Sequence, residues 1–261
     1  MIIKQKLKNY YCFWQQLSIA IFYLIFFQLN LNISRAENIN SSEFYSFLGP
    51  KVNLKTTWVG KEEVSIKIPI LVLAGHADSQ GIAGAGTAGE AVDIKGAIPM
   101  DDKISDELFW NLLIRDSIVK EGLERGLNIK SYEPPLRDII DGNDPRTNWS
   151  VGAEFIKKGG YVFEIHFDSY QEHGFGSGLI PSLSTDLNLI DENLAKSFGR
   201  YPLFFRGGLG APRRGIRILE IGKLEGNLEK SLRDINSREE YIQMISKKVV
   251  NAIVMGASLR N

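Results

Sequence analysis

One cysteine, Cys12, occurs in this chain of 261 residues. It lacks the preceding small-residue context of a lipoprotein cysteine, and the chain beyond it has no thiol, which excludes disulfides and thiolate metal sites there. Histidine is nearly as scarce, with three copies, His76, His166 and His173. An excess of one charge is missing as well, since 31 Lys and Arg balance 31 Asp and Glu. Without a long basic run, nothing marks nucleic acid as a partner. There is no internal repeat and no low-complexity segment.

The start of the chain has the pattern of a secretory signal. Lys4, Lys6 and Lys8 form a basic n-region, Leu17–Leu29 (LSIAIFYLIFFQL) an apolar h-region, and Ser34-Arg35-Ala36 a small-x-small cleavage site. The apolar stretch is short against the ~20 residues of a spanning helix, so it predicts cleavage after Ala36 and a periplasmic or secreted product, with an uncleaved anchor as the alternative. The membrane enters only through this segment. Residues 1–36 carry four of the basic residues and no acid, so the exported part keeps 27 against 31 acids, a net charge of −4. Its 225 residues suit one domain with a full core.

Residues 37–60 are polar and mixed, and read as a lead-in that adds an edge strand or stays loose; the globular pattern starts at Lys61 and runs to residue 261. A strand is predicted over Val64–Ala74, followed by a glycine-rich loop over Gly75–Gly96. A helix over Asp106–Arg125 has Ser105 as N-cap, Leu108, Leu112, Val119 and Leu123 on one face, and Gly126 as its stop. A strand near Leu127–Tyr132, a helix opened by Asp144-Pro145 and closed by Gly159-Gly160, and a strand over Tyr161–Phe167 come next. A helix near Leu187–Phe198, a strand over Gly215–Ile221, and a last helix with a Ser237/Glu240 capping box, stopping at Gly256, complete the pattern. This alternation predicts an α/β fold: a central, mostly parallel or mixed twisted sheet with helices on both faces, in a single domain.

Three apolar runs end in groups with chemistry. IPILVLAGH closes on His76, GGYVFEIH on His166, and RGIRILEIG carries Glu220. Carboxyl ends of neighbouring strands form one rim of an open α/β sheet, where residues distant in sequence meet. Each group also has a structural reading. His76 beside a glycine turn reads equally as a loop residue, and His166 as a hydrogen-bonded core histidine. Glu220 within ILEIG must be paired, hydrogen-bonded or protonated, with Arg217 or Arg214 as possible ion-pair partners. Glu107, at the second position of its helix, is accounted for by the helix dipole. Alternation puts Glu164 on the same face as His166, either orienting the imidazole or competing as a ligand.

The order of GH (His76), SDELFWNLLI (Glu107), GGYVFEIHFDS (His166) and RILEIGKLEGN (Glu220) resembles the zinc-dependent N-acetylmuramoyl-L-alanine amidases of the amidase_3 type. Their pattern runs G-H-G-G, a Glu at the start of a helix, S-I-H-A-N, then V-E-x-G-F-[LI]-S-N; the similarity spans Ile66–Gly256. The resemblance implies that His76, Glu107 and His166 hold zinc, leaving one tetrahedral position open, and that Glu220 is the general base. It implies an exported enzyme acting on peptidoglycan or muropeptides. Apart from the resemblance, His173 in its glycine-rich loop reads as a solvated residue or as a substrate contact at the cleft rim, and Arg213 and Arg214, just before the Glu220 strand, read as a solvated turn or as a clamp for peptide carboxylates.

The departures are Ala77 and Asp78 after the first histidine, Glu164 before and Phe167-Asp168 after the second, and Lys223 where the family has Phe. They leave open a zinc peptidase or amidohydrolase on another envelope peptide. An inactive cell-wall-binding or regulatory module of the same fold is a further alternative. Glu90, 14 residues after His76, competes with Glu107 as second ligand. Gly84-Ala85-Gly86-Thr87-Ala88-Gly89 matches the dinucleotide fingerprint G-x-G-x-x-G, but it neither directly follows a strand nor opens a long helical pattern, so a dehydrogenase is disfavoured.

Overall fold

The computed structural model describes residues 47–258. The leader expected over residues 1–36, and the start of the lead-in, lie outside them. The Val64–Ala74 run is two strands, β1 (Val64–Ser65) and β2 (Ile70–Ala74). Pro69, which cannot donate to a ladder, precedes β2, and a turn closes where the Ile68 amide reaches the Ser65 carbonyl at 3.0 Å. After β2 come α1 (Gly89–Asp93), α2 (Asp106–Glu124), β3 (Ile129–Ser131), α3 (Asn148–Lys157) and β4 (Tyr161–Asp168). The chain continues through β5 (Gly178–Ile180), α4 (Leu189–Phe198), α5 (Gly210–Arg213), β6 (Arg217–Lys223), α6 (Gly226–Arg233), α7 (Arg238–Gly256) and β7 (Ala257–Ser258).

The main sheet has five strands in the order β3-β2-β4-β6-β5, all parallel except β5, which pairs antiparallel to β6. β1 and β7 form a separate parallel pair. The expected mixed α/β sheet is therefore present. Alternation divides its faces: Leu71, Leu73, Val162 and Ile218 form one core with Trp149 and Phe155 of α3 and Ala211 of α5. On the opposite face Ala74 packs with Leu108 of α2, while Tyr161 and Arg217 meet α4 and α7 packs across α2 and α4.

Helix α2 starts where expected, with the Ser105 side chain accepting the Leu108 amide. Its buried face is rotated from the expected stripe. Leu108, Asn111, Ile114, Arg115, Ile118 and Gly122 are buried, whereas Leu123 is exposed, because the polar Asn111 and Arg115 find partners inside. The expected Ser237 capping box does not form: the Ser237 hydroxyl turns back to the Ser231 carbonyl and to Asp234. Helix α3 begins at Asn148, capped by Thr147, later than Asp144-Pro145 implied.

Candidate metal centre

The rim at the carboxyl ends of β2, β4 and β6 opens into a cleft of about 540 Å³, lined among others by His76, Glu107, His166 and Glu220. Parallel pairing sets His166 and Glu220 side by side as register partners on β4 and β6. His76 comes from the turn just past β2 and Glu107 from the first turn of α2. The Glu107 Oε1 lies 3.4 Å from His76 Nε2 and 3.2 Å from His166 Nδ1. The two imidazoles meet edge to face, with ring centroids 4.7 Å apart.

These three residues form a group whose potential ligand atoms all lie within 4.8 Å of one another, the only such group among the described residues. Two nitrogens and a carboxylate oxygen suit zinc. At zinc–ligand distances of about 2.1 Å, tetrahedral edges are about 3.4 Å, so the two measured spacings fit a single ion.

The backbone around His76 is built to hold it. His76 is a non-glycine residue in the left-handed region, φ 63°, a conformation that persists only when its surroundings enforce it. Three successive carbonyls at this turn accept side-chain amides: Ala74 from Asn148 at 2.7 Å, Gly75 from Asn111 at 3.2 Å, and His76 from Gln80 at 3.0 Å. The side-chain oxygen Oε1 of Gln80 in turn accepts the Ser105 backbone amide at 2.7 Å, tying the His76 turn to the N-cap of the helix that carries Glu107. Gly75 is required for space, since a Cβ there would sit 2.3 Å from the His166 ring. The amide trio was missed in sequence. No local signal marked it: Asn111 lies off the predicted apolar stripe, and only the structure shows it buried.

Glu107 is buried and fully engaged. Oε1 also accepts the Phe167 amide and Oε2 the Thr87 amide at 2.9 Å. Burial pushes its pKa up, but His76 and His166 outweigh this and hold the carboxyl well below the usual range. His166 is displaced the other way: burial disfavours its charged form, while hydrogen bonds to Glu107 and Glu164 raise its pKa well above the ordinary value. The pull of two carboxylates that favours a proton at His166 favours a divalent cation by the same attraction.

Glu164 lies 3.4 Å from Nε2 of His166, on the opposite side of the ring from Glu107. This is the place of an orienting group, which leaves Nδ1 for the cluster. Glu220 has a buried Oε2 without a hydrogen-bond partner, and burial pushes its pKa up to about 8, with His166 pulling down and Asp168 and Glu107 pushing up. The ion pair with Arg217 considered from sequence is absent. Three positions apart on one strand, the two residues face opposite sides of the sheet, and Arg217 pairs with Asp191 at 2.8 Å. Arg214 is engaged elsewhere as well, donating to Gly210 and Asn143.

The other sequence candidates are not brought to the cluster. Glu90 pairs with Lys95 at 2.6 Å. Arg213 donates to the carbonyls of Gly207 and Gly208, and Arg214 lies over the Trp149 ring. His173 is exposed in a short 3₁₀ turn. In the glycine-rich loop, Gly84 and Gly86 line the cleft, and Gly86 with φ 83° passes so close to Ser105 that a Cβ would lie 2.7 Å from its hydroxyl. Sequence reasoning missed Arg206, which lines the cleft.

Fold and site together define an α/β domain with a buried His-Glu-His group that could bind a metal at the carboxyl edge of its sheet. Among solved structures it is similar to N-acetylmuramoyl-L-alanine amidase catalytic domains. The catalytic domain of CwlV from Bacillus (Paenibacillus) polymyxa var. colistinus is 16% identical, with a TM-score of 0.47 over 72% of this chain and 97% of that one. An amidase of Nostoc punctiforme is 13% identical, TM-score 0.44, over 73% and 97%. A putative amidase of Neisseria meningitidis is 15% identical, TM-score 0.43, over 72% and 94%. The sequence matches no protein-family model and no curated protein.

Proposed function

We propose that this chain is an exported zinc-dependent peptidoglycan hydrolase that cleaves the amide between N-acetylmuramic acid and L-alanine. The observation that carries the reading is the meeting of His76, Glu107 and His166 with Glu220 beside them in one cleft, in the order of the amidase motif. His76, Glu107 and His166 would hold zinc. Zinc there would supply Lewis-acid polarisation of a scissile carbonyl and a nucleophile at neutral pH. Glu220 would accept the proton of the attacking water on its free Oε2 and return it to the leaving amine. Glu164 would fix the tautomer of His166. Export rests on the leader pattern in the sequence.

A second reading, a zinc hydrolase acting on another envelope peptide, is favoured by Asp78 and Glu164, departures from the motif that both line the cleft. One experiment addresses both readings. Elemental analysis of the purified chain should give about one zinc per molecule, lost in His166→Ala and kept in His173→Ala. Mass spectrometry of digested peptidoglycan should show free stem peptide and peptide-free glycan. Products cut within the peptide would favour the second reading. No zinc uptake, even on addition of the metal, would overturn both.

A further inference from the structure

We propose that Arg206 anchors the substrate in this cleft by binding a free carboxylate of its peptide; the inference rests on the amidase reading and adds a recognition element to it. The charges that line the cleft are lopsided. Asp78, Glu107, Glu164, Asp168 and Glu220 are acidic, and Arg206 is the one arginine or lysine among the lining residues. An anionic group on a substrate is repelled over most of this surface and attracted at a single place.

The geometry at Arg206 is specialised. It has φ 49° and ψ 36° and is one of three non-glycine residues with positive φ among those described; His76, in the cluster itself, is another. A left-handed arginine costs free energy, and such strain persists where the surroundings impose it. Here they do. Arg213 donates to the carbonyls of the next two residues, Gly207 at 2.9 Å and Gly208 at 3.1 Å, and so props the turn. The guanidinium lies over the rings of Phe205 and Phe175, 5.1 and 5.7 Å from their centroids.

That aromatic platform is tied to the candidate metal centre. Phe205 packs against Tyr201 with centroids 4.6 Å apart, and the Tyr201 hydroxyl donates to Asp168 at 3.0 Å, two residues beyond His166 on the same strand. The position of Arg206 relative to the cluster is thereby fixed through packed rings and a buried hydrogen bond. Among the described residues its own hydrogen bonding is spare: one contact of 3.5 Å to the His173 carbonyl, and no ion pair with an acidic residue. A planar guanidinium set beside two aromatic rings, with most of its donors unused, is suited to bidentate capture of a carboxylate.

The test compares a muramyl peptide bearing a free C-terminal carboxylate with the same peptide amidated there, using the zinc-loaded full chain. In the native protein kcat/KM should favour the free acid. Arg206→Ala should lower the free-acid to amide ratio about 10- to 100-fold, mainly through KM, and Arg206→Lys should recover part of it because it keeps charge but loses the bidentate fork. An unchanged ratio, or equal losses on both substrates, would overturn the proposal. If neither muramyl peptide is hydrolysed, the amidase reading fails instead. Calorimetric binding of the free and amidated stem peptides to native and Arg206→Ala protein then decides the role of Arg206 on its own: a preference for the acid that the substitution abolishes supports it, and its absence refutes it.

Discussion

Glu220 and Glu229 are two carboxyls kept where water does not fully reach, with different consequences. Glu220 faces the cleft with an unpartnered oxygen and forms no ion pair among the described residues, so Glu220→Gln removes a proton acceptor without breaking one. Turnover should fall by roughly 10² or more while zinc content and melting temperature hold. An active variant, or one that loses its metal, would assign Glu220 a different role. Glu229 lies away from the metal cluster, on α6. Its Oε2 accepts the Ala91 amide at 2.9 Å and its Oε1 has no partner, and burial pushes its pKa up to about 7. The folded state therefore holds this proton more tightly than the unfolded state, where an ordinary glutamate releases it near 4.3. Stability from this group is full at low pH and is lost as pH rises through that interval to about 7. Glu229→Gln can still accept the Ala91 amide, so its melting temperature should exceed that of the native chain at pH 8 and approach it at pH 5. A gain independent of pH would refute the assignment.

At the scale of elements, α4 is fastened to the sheet by charge as well as by packing. Asp191, fully buried, closes a capping box with Asn188 and accepts from Arg217 of β6 and from the Tyr161 hydroxyl of β4. Asp191→Ala leaves a buried guanidinium uncompensated and should cost about 3 to 5 kcal/mol in urea unfolding. A loss under 1 kcal/mol would mean that solvent or another acid takes over. Much of this layout was legible beforehand. β2, β4 and β6 announce themselves as apolar runs, and α2 by Ser105, its acidic first turn and Gly126, because burial and capping leave periodic marks. The approach of His76 to His166 follows from strand ends sharing a rim, whereas Glu107, in the first turn of α2, was assigned to the site only through the resemblance. What escaped had weak local marks. β5 is three residues long and antiparallel at an edge, and α6 (GNLEKSLR) lies between β6 and the last helix, a stretch for which no element was predicted. The buried face of α2 was misjudged because Asn111 and Arg115 look like solvent residues until their tertiary acceptors are seen. Arg206 went unnoticed because a turn arginine acquires meaning only from the rings beneath it.

For the molecule as a whole, residues 47–60 are integral to the body that carries the site. Phe47 stacks on Tyr241 with centroids 4.1 Å apart, and Leu48, Val52 and Trp58 are buried. The Trp58 indole donates to the Tyr201 carbonyl at 2.7 Å, Arg200 lies over its ring at 4.2 Å, and Val52 packs where Gly178 and Gly199 leave no room for a Cβ. Four such side chains contribute at most about 6 to 12 kcal/mol. That upper bound is comparable to the whole stability of an ordinary domain, about 5 to 15 kcal/mol. A chain beginning at Lys61 should therefore lack a cooperative thermal transition and bind a dye specific for exposed apolar surface, whereas one beginning at Glu37 should melt sharply. The loss should also reach the cleft, because Tyr201, stripped of Trp58 and Val52, is the residue that joins Asp168 on the His166 strand to the rings under Arg206. Zinc uptake by the shorter chain should weaken together with its fold. A Lys61 chain that melted within a few degrees of the longer one and bound zinc equally would show that the segment merely covers a body stable without it.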